Sequence, residues 1–166
     1  MADKTYVPEG ESAPASQIGA TLEALAGTIA ARRTAGEESY TYRLLTASPD
    51  AVLKKVMEES GEVALAAKDV EGWATSSVAA ALAFESGAGH AVEPDEMNVQ
   101  LPPEYGEAVD HLRYEAADAV YHLLVVLERY GISLDEFAAE LNNRMTESER
   151  PEGGVRLFDE YVKRGK

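Results

Sequence analysis

The chain has 166 residues, a length that fits one domain, and its 30 acidic against 15 basic residues give a formal net charge of −15. This charge argues against binding to nucleic acid, which depends on Lys and Arg, while the lack of cysteine excludes disulfides and thiolate metal sites and fits a reducing, cytoplasmic location. No apolar run reaches the roughly 18 residues of a membrane span, and the first residues do not have the pattern of a signal peptide.

The N-terminal part predicts an arm and then two helices. Residues 1–15 are rich in Pro, Gly, Ser and Glu, which predicts a flexible arm. The first helix is expected from Ser16 to Arg33, because apolar residues recur at helical spacing (Ile18, Leu22, Leu25 and Ile29). Residues 34–47 are expected to form a connection with at most a short helical turn. A second helix begins with a capping Ser48 followed by Pro and Asp, and continues to about Asp69.

The remainder predicts two more helices after a long irregular stretch. Residues 70–106 are less regular and could contain a short helix followed by a loop. The next helix is expected from Glu107 to Tyr130, ending at a glycine. A capping box, Ser133 to Glu136, opens a last helix to about Arg144. With no alternating strand pattern, the sequence predicts an all-α helical bundle, with residues 16–144 as the domain and 145–166 as a C-terminal tail.

The second predicted helix carries a cluster of acids. Lys55, Glu58, Glu59 and Glu62 lie within an arc of about 100°, and Leu53, Val56, Met57 and Ala64 lie on the opposite side. Such a pattern is most often a solvated charged face above an apolar one. Taken alone, this helix therefore says little about function.

The helix from Glu107 contains acids in an apolar run. His111, Glu115, Asp118 and His122 are spaced four, three and four apart, so they form one stripe. Asp118 is therefore expected to face the protein interior or a lined cavity, where its carboxylate needs a partner. That partner is either a Lys or Arg in an ion pair or a metal ion shared with the other helix. His111 is expected near the helix surface. His122 is expected to be a hydrogen-bonded interior residue and not a metal ligand.

Two acid pairs with the same spacing suggest a metal site. Glu59 and Glu62, like Glu115 and Asp118, are three residues apart on their helices. If they face each other, their hard oxygen ligands suit Mg²⁺, or Mn²⁺ as a substitute, better than zinc. Mg²⁺ held by carboxylates usually binds substrate phosphates, which suggests hydrolysis of a phosphoanhydride.

These motifs also carry a family resemblance. The pattern EE-x-x-E at residues 58–62, followed by E-x-x-D at 115–118, resembles the MazG-like all-α nucleotide pyrophosphohydrolases. Within that superfamily, SYTYRLL at 39–45 and EAADAVYHLLVVL at 115–127 resemble the phosphoribosyl-ATP pyrophosphatase family. The resemblance implies an ATP-like nucleotide substrate and hydrolysis of phosphoribosyl-ATP to phosphoribosyl-AMP and pyrophosphate, by Mg²⁺-activated attack of water on the α–β phosphoanhydride. This is the second step of histidine biosynthesis.

The resemblance also implies roles for particular residues. Glu59, Glu62, Glu115 and Asp118 would be the metal ligands. Glu58 would be a further ligand or orient the attacking water, so that Glu58, Glu59 and Glu62 form the catalytic set. Lys55 and Arg43 would bind the substrate, and a homodimer is implied.

Two alternatives stay open at this point. One is a MazG-like pyrophosphohydrolase of the house-cleaning type that removes nucleoside triphosphates or deoxynucleoside triphosphates, if the insertion at 70–106 has changed the base pocket. The insertion is a departure from the family, whose members usually have a short connection there. The other alternative is a non-catalytic helical interaction protein whose acids are surface charges.

Overall fold

The computed structural model describes residues 17–88 and 99–157. Five α-helices and no strand lie in these two ranges, together with a 3₁₀ turn at Arg32–Thr34. The helices are α1 (Gln17–Ala31), α2 (Tyr40–Thr46), α3 (Pro49–Gly87), α4 (Pro103–Arg129) and α5 (Leu134–Asn142). The predicted all-α fold class is confirmed. None of the described helices has the length and apolar character that a membrane span requires.

Two helices differ most from the prediction, and α4 also begins earlier, at Pro103 and not at Glu107. α2 is a seven-residue helix in the stretch expected to hold at most one helical turn. α3 does not end near Asp69 but continues for 39 residues to Gly87, through the first half of the predicted insertion. The predicted arm at 1–15, the loop at 89–98 and the last residues, 158–166, lie outside the described ranges.

The short helices α2 and α5 begin at side-chain caps. The hydroxyl of Ser39 accepts a hydrogen bond from the backbone N–H of Tyr42 at the start of α2. At the start of α5 the predicted capping box is present: Ser133 accepts from the backbone N–H of Glu136, whose carboxylate accepts from the backbone N–H of Ser133. The turn between α4 and α5 contains Gly131 with φ +68°, a conformation in which residues with a Cβ are disfavoured.

The chain divides into two compact units, with boundaries inside α3 and α4. The unit formed by residues 12–52 and 123–166 has an apolar core, whose buried side chains are Ile29, Leu44, Leu45, Val52, Leu124, Val125, Leu127 and Ala139. Arg129 donates hydrogen bonds to the carbonyls of Leu44, Leu45 and Ala47 at the end of α2. Asn142, at the end of α5, holds the segment at Val155: its Nδ2 donates a hydrogen bond to the carbonyl of Val155 at 2.7 Å.

The other unit contains residues 53–122 and has a different interior. Among its described residues, 53–88 and 99–122, the buried ones are Glu59, Glu115 and His122, with the two small apolar residues Ala66 and Ala108. Carboxylates thus occupy the place that large apolar side chains take in an ordinary core. The predicted apolar face of this part of α3 is exposed instead: Met57 is 77% exposed and Leu53 is 42% exposed.

Candidate metal centre

Acids from α3 and α4 converge inside the unit formed by residues 53–122. Glu59, Glu115 and Asp118 each contribute a carboxylate oxygen to a group in which all these atoms lie within 4.8 Å of one another. Glu59 and Glu115 are 5% and 8% exposed, and Asp118 is partly buried. Since like charges at this distance repel, a cation at the centre of the group would stabilise it.

Lys55 neutralises part of this charge from the preceding turn of α3. Its Nζ lies 2.9 Å from Glu59 Oε1 and 3.1 Å from Glu58 Oε2. The ammonium group lowers the pKa of Glu59, and the two glutamates raise the pKa of Lys55. Glu59 is therefore ionised although it is buried. One cation against three converging carboxylates still leaves a negative site.

Glu62 lies at the edge of the group. It is exposed and is not among the three residues whose oxygens converge. Loss of hydration, and then the charges of Glu59 and Glu115, raise the pKa of Glu62. Glu58 is also exposed and forms an ion pair with Lys55. The structure thus brings together three of the four predicted ligands and places Glu62 beside them.

His122 lies in the interior beside the acids, as the sequence predicts. It is 5% exposed, and its Nδ1–H donates to the backbone carbonyl of Asp118 at 2.9 Å. The same nitrogen lies 3.6 Å from Glu59 Oε1, and the ring makes an edge contact with Tyr121. His122 therefore lies on the buried side of the acids, next to Glu59 and to the backbone of Asp118.

Two further residues of α4 lie beside the acids. His111 Nε2 lies 2.9 Å from Glu115 Oε1, and Tyr114 lies one helical turn before Asp118. The negative charge of Asp118 raises the pKa of Tyr114. The sequence analysis did not identify Tyr114 as part of the site. The signal was its position four residues before Asp118, which places both side chains on one face of the helix.

Arg43, a predicted substrate-binding residue, belongs to the other unit. Its Nη1 donates to the carbonyls of Glu37 and Glu38 at 2.7 and 3.3 Å, and its guanidinium lies 6.0 Å from the centre of the Tyr40 ring. These contacts fix the connection between α1 and α2. The role of Arg43 in substrate binding stays a prediction.

A separate cavity lies along the C-terminal part of α3. It has a volume of about 640 Å³ and is bordered by Trp73 and Phe84 of the helix and by Gln100 and Pro102 of the segment before α4. Phe84 is 74% exposed. The three converging acids do not line this cavity, so it is distinct from the candidate metal centre.

The acidic group fits a divalent metal ion. Its donors are carboxylate oxygens, which are preferred ligands of hard cations, and two of the three are buried and held by neighbouring side chains. Such a site can bind an ion that in turn holds phosphate oxygens. The arrangement supports metal-assisted hydrolysis better than a purely structural ion pair.

Comparison with known proteins points to the same enzyme family as the sequence motifs. A protein from Methylobacterium nodulans named phosphoribosyl-ATP pyrophosphatase is 36% identical over 137 residues, which cover 82% of this chain and 94% of the relative. A protein of the same name from Paracidovorax citrulli is 32% identical over 137 residues, covering 80% and 76% respectively. No solved structure matches significantly. The model of the family described as phosphoribosyl-ATP pyrophosphohydrolase matches residues 22–145, and the chain therefore belongs to this family.

Proposed function

We propose that this chain hydrolyses phosphoribosyl-ATP between the α and β phosphates, giving phosphoribosyl-AMP and pyrophosphate, the second step of histidine biosynthesis. The observation that carries the proposal is the convergence of Glu59, Glu115 and Asp118 in a member of this family. Hydrolysis of a phosphoanhydride requires neutralisation of the phosphate charge and a positioned water molecule. A group of carboxylates that holds a metal ion is suited to both tasks.

Mg²⁺ is the proposed cofactor, with Mn²⁺ as a substitute. Glu59, Glu115 and Asp118 would hold the ion, and Glu62 would complete the set as an exposed ligand that rotates inward. When bound, the ion supplies neutralisation of phosphate charge and lowers the pKa of water. The raised pKa of Glu62 supports this role, because a cation would relieve the repulsion that raises it.

The remaining residues act on the substrate and the water. Lys55 is proposed to contact phosphate oxygens, since its ammonium group lies beside the acids and is about one-third exposed. Glu58, exposed and paired with Lys55, is proposed to orient the attacking water or accept its proton. Arg43 is proposed as a phosphate or ribose contact on the basis of the family motif alone.

We also propose that the active form is a homodimer. Leu53, Met57, Val78 and Leu82 lie within an arc of about 60° on α3, and each is between 38% and 77% exposed. In the described parts of this unit, residues 53–88 and 99–122, the buried apolar side chains are the small Ala66 and Ala108. A second copy that packs along this face would bury the large apolar side chains that the single chain leaves in water.

The activity is tested by measuring pyrophosphate release from phosphoribosyl-ATP beside ATP and the common deoxynucleoside triphosphates. We expect phosphoribosyl-ATP to be preferred in the presence of Mg²⁺. A clear preference for a deoxynucleoside triphosphate would instead favour the house-cleaning function. Absence of hydrolysis of every nucleotide would favour the interaction protein.

The metal centre is tested with Asp118→Asn. Because a ligand that binds only the folded state stabilises it, millimolar Mg²⁺ should raise the melting temperature of the wild type. The variant should lose this increase and most of the activity. Glu140→Gln, on the exposed side of α5, removes one acid elsewhere and should respond to Mg²⁺ as the wild type does.

A further inference from the structure

The three converging carboxylates share one local arrangement. Each has a hydrogen-bond donor on the residue four positions earlier in its own helix. Lys55 lies 2.9 Å from Glu59, His111 lies 2.9 Å from Glu115, and Tyr114 lies one turn before Asp118, near enough for the charge of Asp118 to raise the pKa of Tyr114. The same spacing thus occurs once on α3 and twice on α4.

The geometry of a helix explains the arrangement. Side chains in an α-helix lean toward its N-terminus, so an acid at position i meets the residue at i−4. A carboxylate has about four lone-pair sites, so a bond to one donor leaves sites for a metal ion. Such a donor removes rotational freedom from the acid before any ion arrives.

The two donors on α4 are exposed, which makes their contacts informative. The side chain of His111 is 56% exposed and Tyr114 is 64% exposed, so neither residue fills the interior of the unit. Both can donate without adding a positive charge, His111 through Nε2–H of the neutral ring and Tyr114 through its hydroxyl. They can therefore orient an acid without competing with a bound cation.

We propose that His111 and Tyr114 are positioning residues that hold Glu115 and Asp118 in the orientation in which they bind the metal ion. This inference rests on the proposed function, because it assumes that the acids are ligands. It extends that function to two residues outside the acid motifs. Groups that orient metal ligands typically contribute about 10- to 100-fold to metal affinity.

The test is a calorimetric titration of the metal-free protein with Mn²⁺. Tyr114→Phe removes the hydroxyl alone, and His111→Ala removes the imidazole donor. We expect each to weaken Mn²⁺ binding by about tenfold. His111→Gln, which retains an N–H donor, should recover most of the loss. Tyr130→Phe, at an exposed tyrosine beyond α4, is the matched control and should bind Mn²⁺ as the wild type does.

A second measurement separates orientation from folding. The metal-free melting temperatures of Tyr114→Phe and His111→Ala should equal that of the wild type, since both side chains are exposed. A variant that binds Mn²⁺ within about twofold of the wild type would overturn the positioning role of that residue. If the wild type does not bind Mn²⁺, or Asp118→Asn binds it equally well, the metal centre itself is wrong and the positioning role is excluded with it.

Discussion

Glu59 is a buried acid that is paired with one basic neighbour, Lys55. Its carboxylate is 5% exposed and lies 2.9 Å from the ammonium group of Lys55. A buried charge is tolerated only when it is paired, because removal from water is costly. Lys55 therefore has a structural role in the metal-free protein in addition to its proposed contact with substrate.

Lys55→Met tests this structural role, because it retains the aliphatic stem and removes the charge. We expect the free energy of unfolding at neutral pH to fall by about 1–3 kcal/mol, the range for hydrogen bonds to charged groups. The measurement is urea unfolding in the presence of a chelator. Lys68→Met is the control, since the ion pair of Lys68 with Glu71 is exposed and contributes about 0–1 kcal/mol. Equal losses in the two variants would contradict the prediction.

The candidate site could be predicted in part from the sequence. The spacing of Glu115, Asp118 and His122 places them on one stripe of a helix, and the structure has them there. Whether acids of two helices meet depends on the axial position of one helix along the other, which spacing does not specify. This is why Glu62 could not be separated from Glu59 by sequence, although one is exposed and the other is buried.

Among the helices, α3 departs most from its predicted length. Residues 70–87 contain no proline and five alanines, so helix propensity favours continuation. Gly72 costs about 1 kcal/mol relative to alanine but does not end a helix. The predicted end at Asp69 was wrong, because the possible short helix after it is a continuation of α3.

Ser133→Ala tests the cap of α5. The hydroxyl accepts a hydrogen bond from the backbone N–H of Glu136, one of the donors that a helix N-terminus leaves without a partner. We expect a loss of about 1 kcal/mol in the free energy of unfolding, measured by chemical denaturation. Ser133→Asp can accept the same bond and should recover most of the stability. Failure of the aspartate to do so would indicate that the hydroxyl acts elsewhere.

Glu136 makes the stability of this helix dependent on pH. Hydrogen bonds from the backbone N–H and hydroxyl of Ser133 lower the pKa of Glu136. A lowered folded-state pKa stabilises the protein above the unfolded value of about 4.3, and the effect is lost as pH falls through the folded value. Glu136→Gln should therefore lower the melting temperature at neutral pH and approach the wild type in acid. A difference that is constant across this range would contradict the prediction.

Arg129→Lys tests how the end of α2 is held. The guanidinium donates to three carbonyls at 2.6–2.8 Å, and an ammonium group has no planar fork with which to span them. We expect the free energy of unfolding to fall by about 1–3 kcal/mol, measured by chemical denaturation. Arg144→Lys, at an exposed position after α5, is the matched control and should leave stability unchanged.

For the whole molecule, the composition and helical periodicity were sufficient to predict the all-α class. They could not predict which face of α3 is buried, because amphipathic patterns assume that apolar residues face inward within one chain. In this chain Glu59 faces inward and Met57 faces outward. The division into an arm, a domain at 16–144 and a tail stays a prediction, although the family match at residues 22–145 fits it.

Met57→Asp tests the proposed homodimer. A charge on the exposed apolar face should shift the molar mass from that of a dimer to that of a monomer, as measured by light scattering after size-exclusion chromatography. Ser76→Asp introduces the same charge at an exposed position on a different side of α3 and should leave the mass unchanged. A monomeric wild type, or a dimeric Met57→Asp, would contradict the assembly.

The acid-rich interior of residues 53–122 has a consequence for the lifetime of the protein in the cell. If a divalent cation binds among these carboxylates, as we propose, it also stabilises the folded state, so withdrawal of the cation would loosen this unit first and expose it to proteases. The abundance of the protein would then follow the supply of the metal ion, and a cell short of that ion would lose the protein as well as its activity.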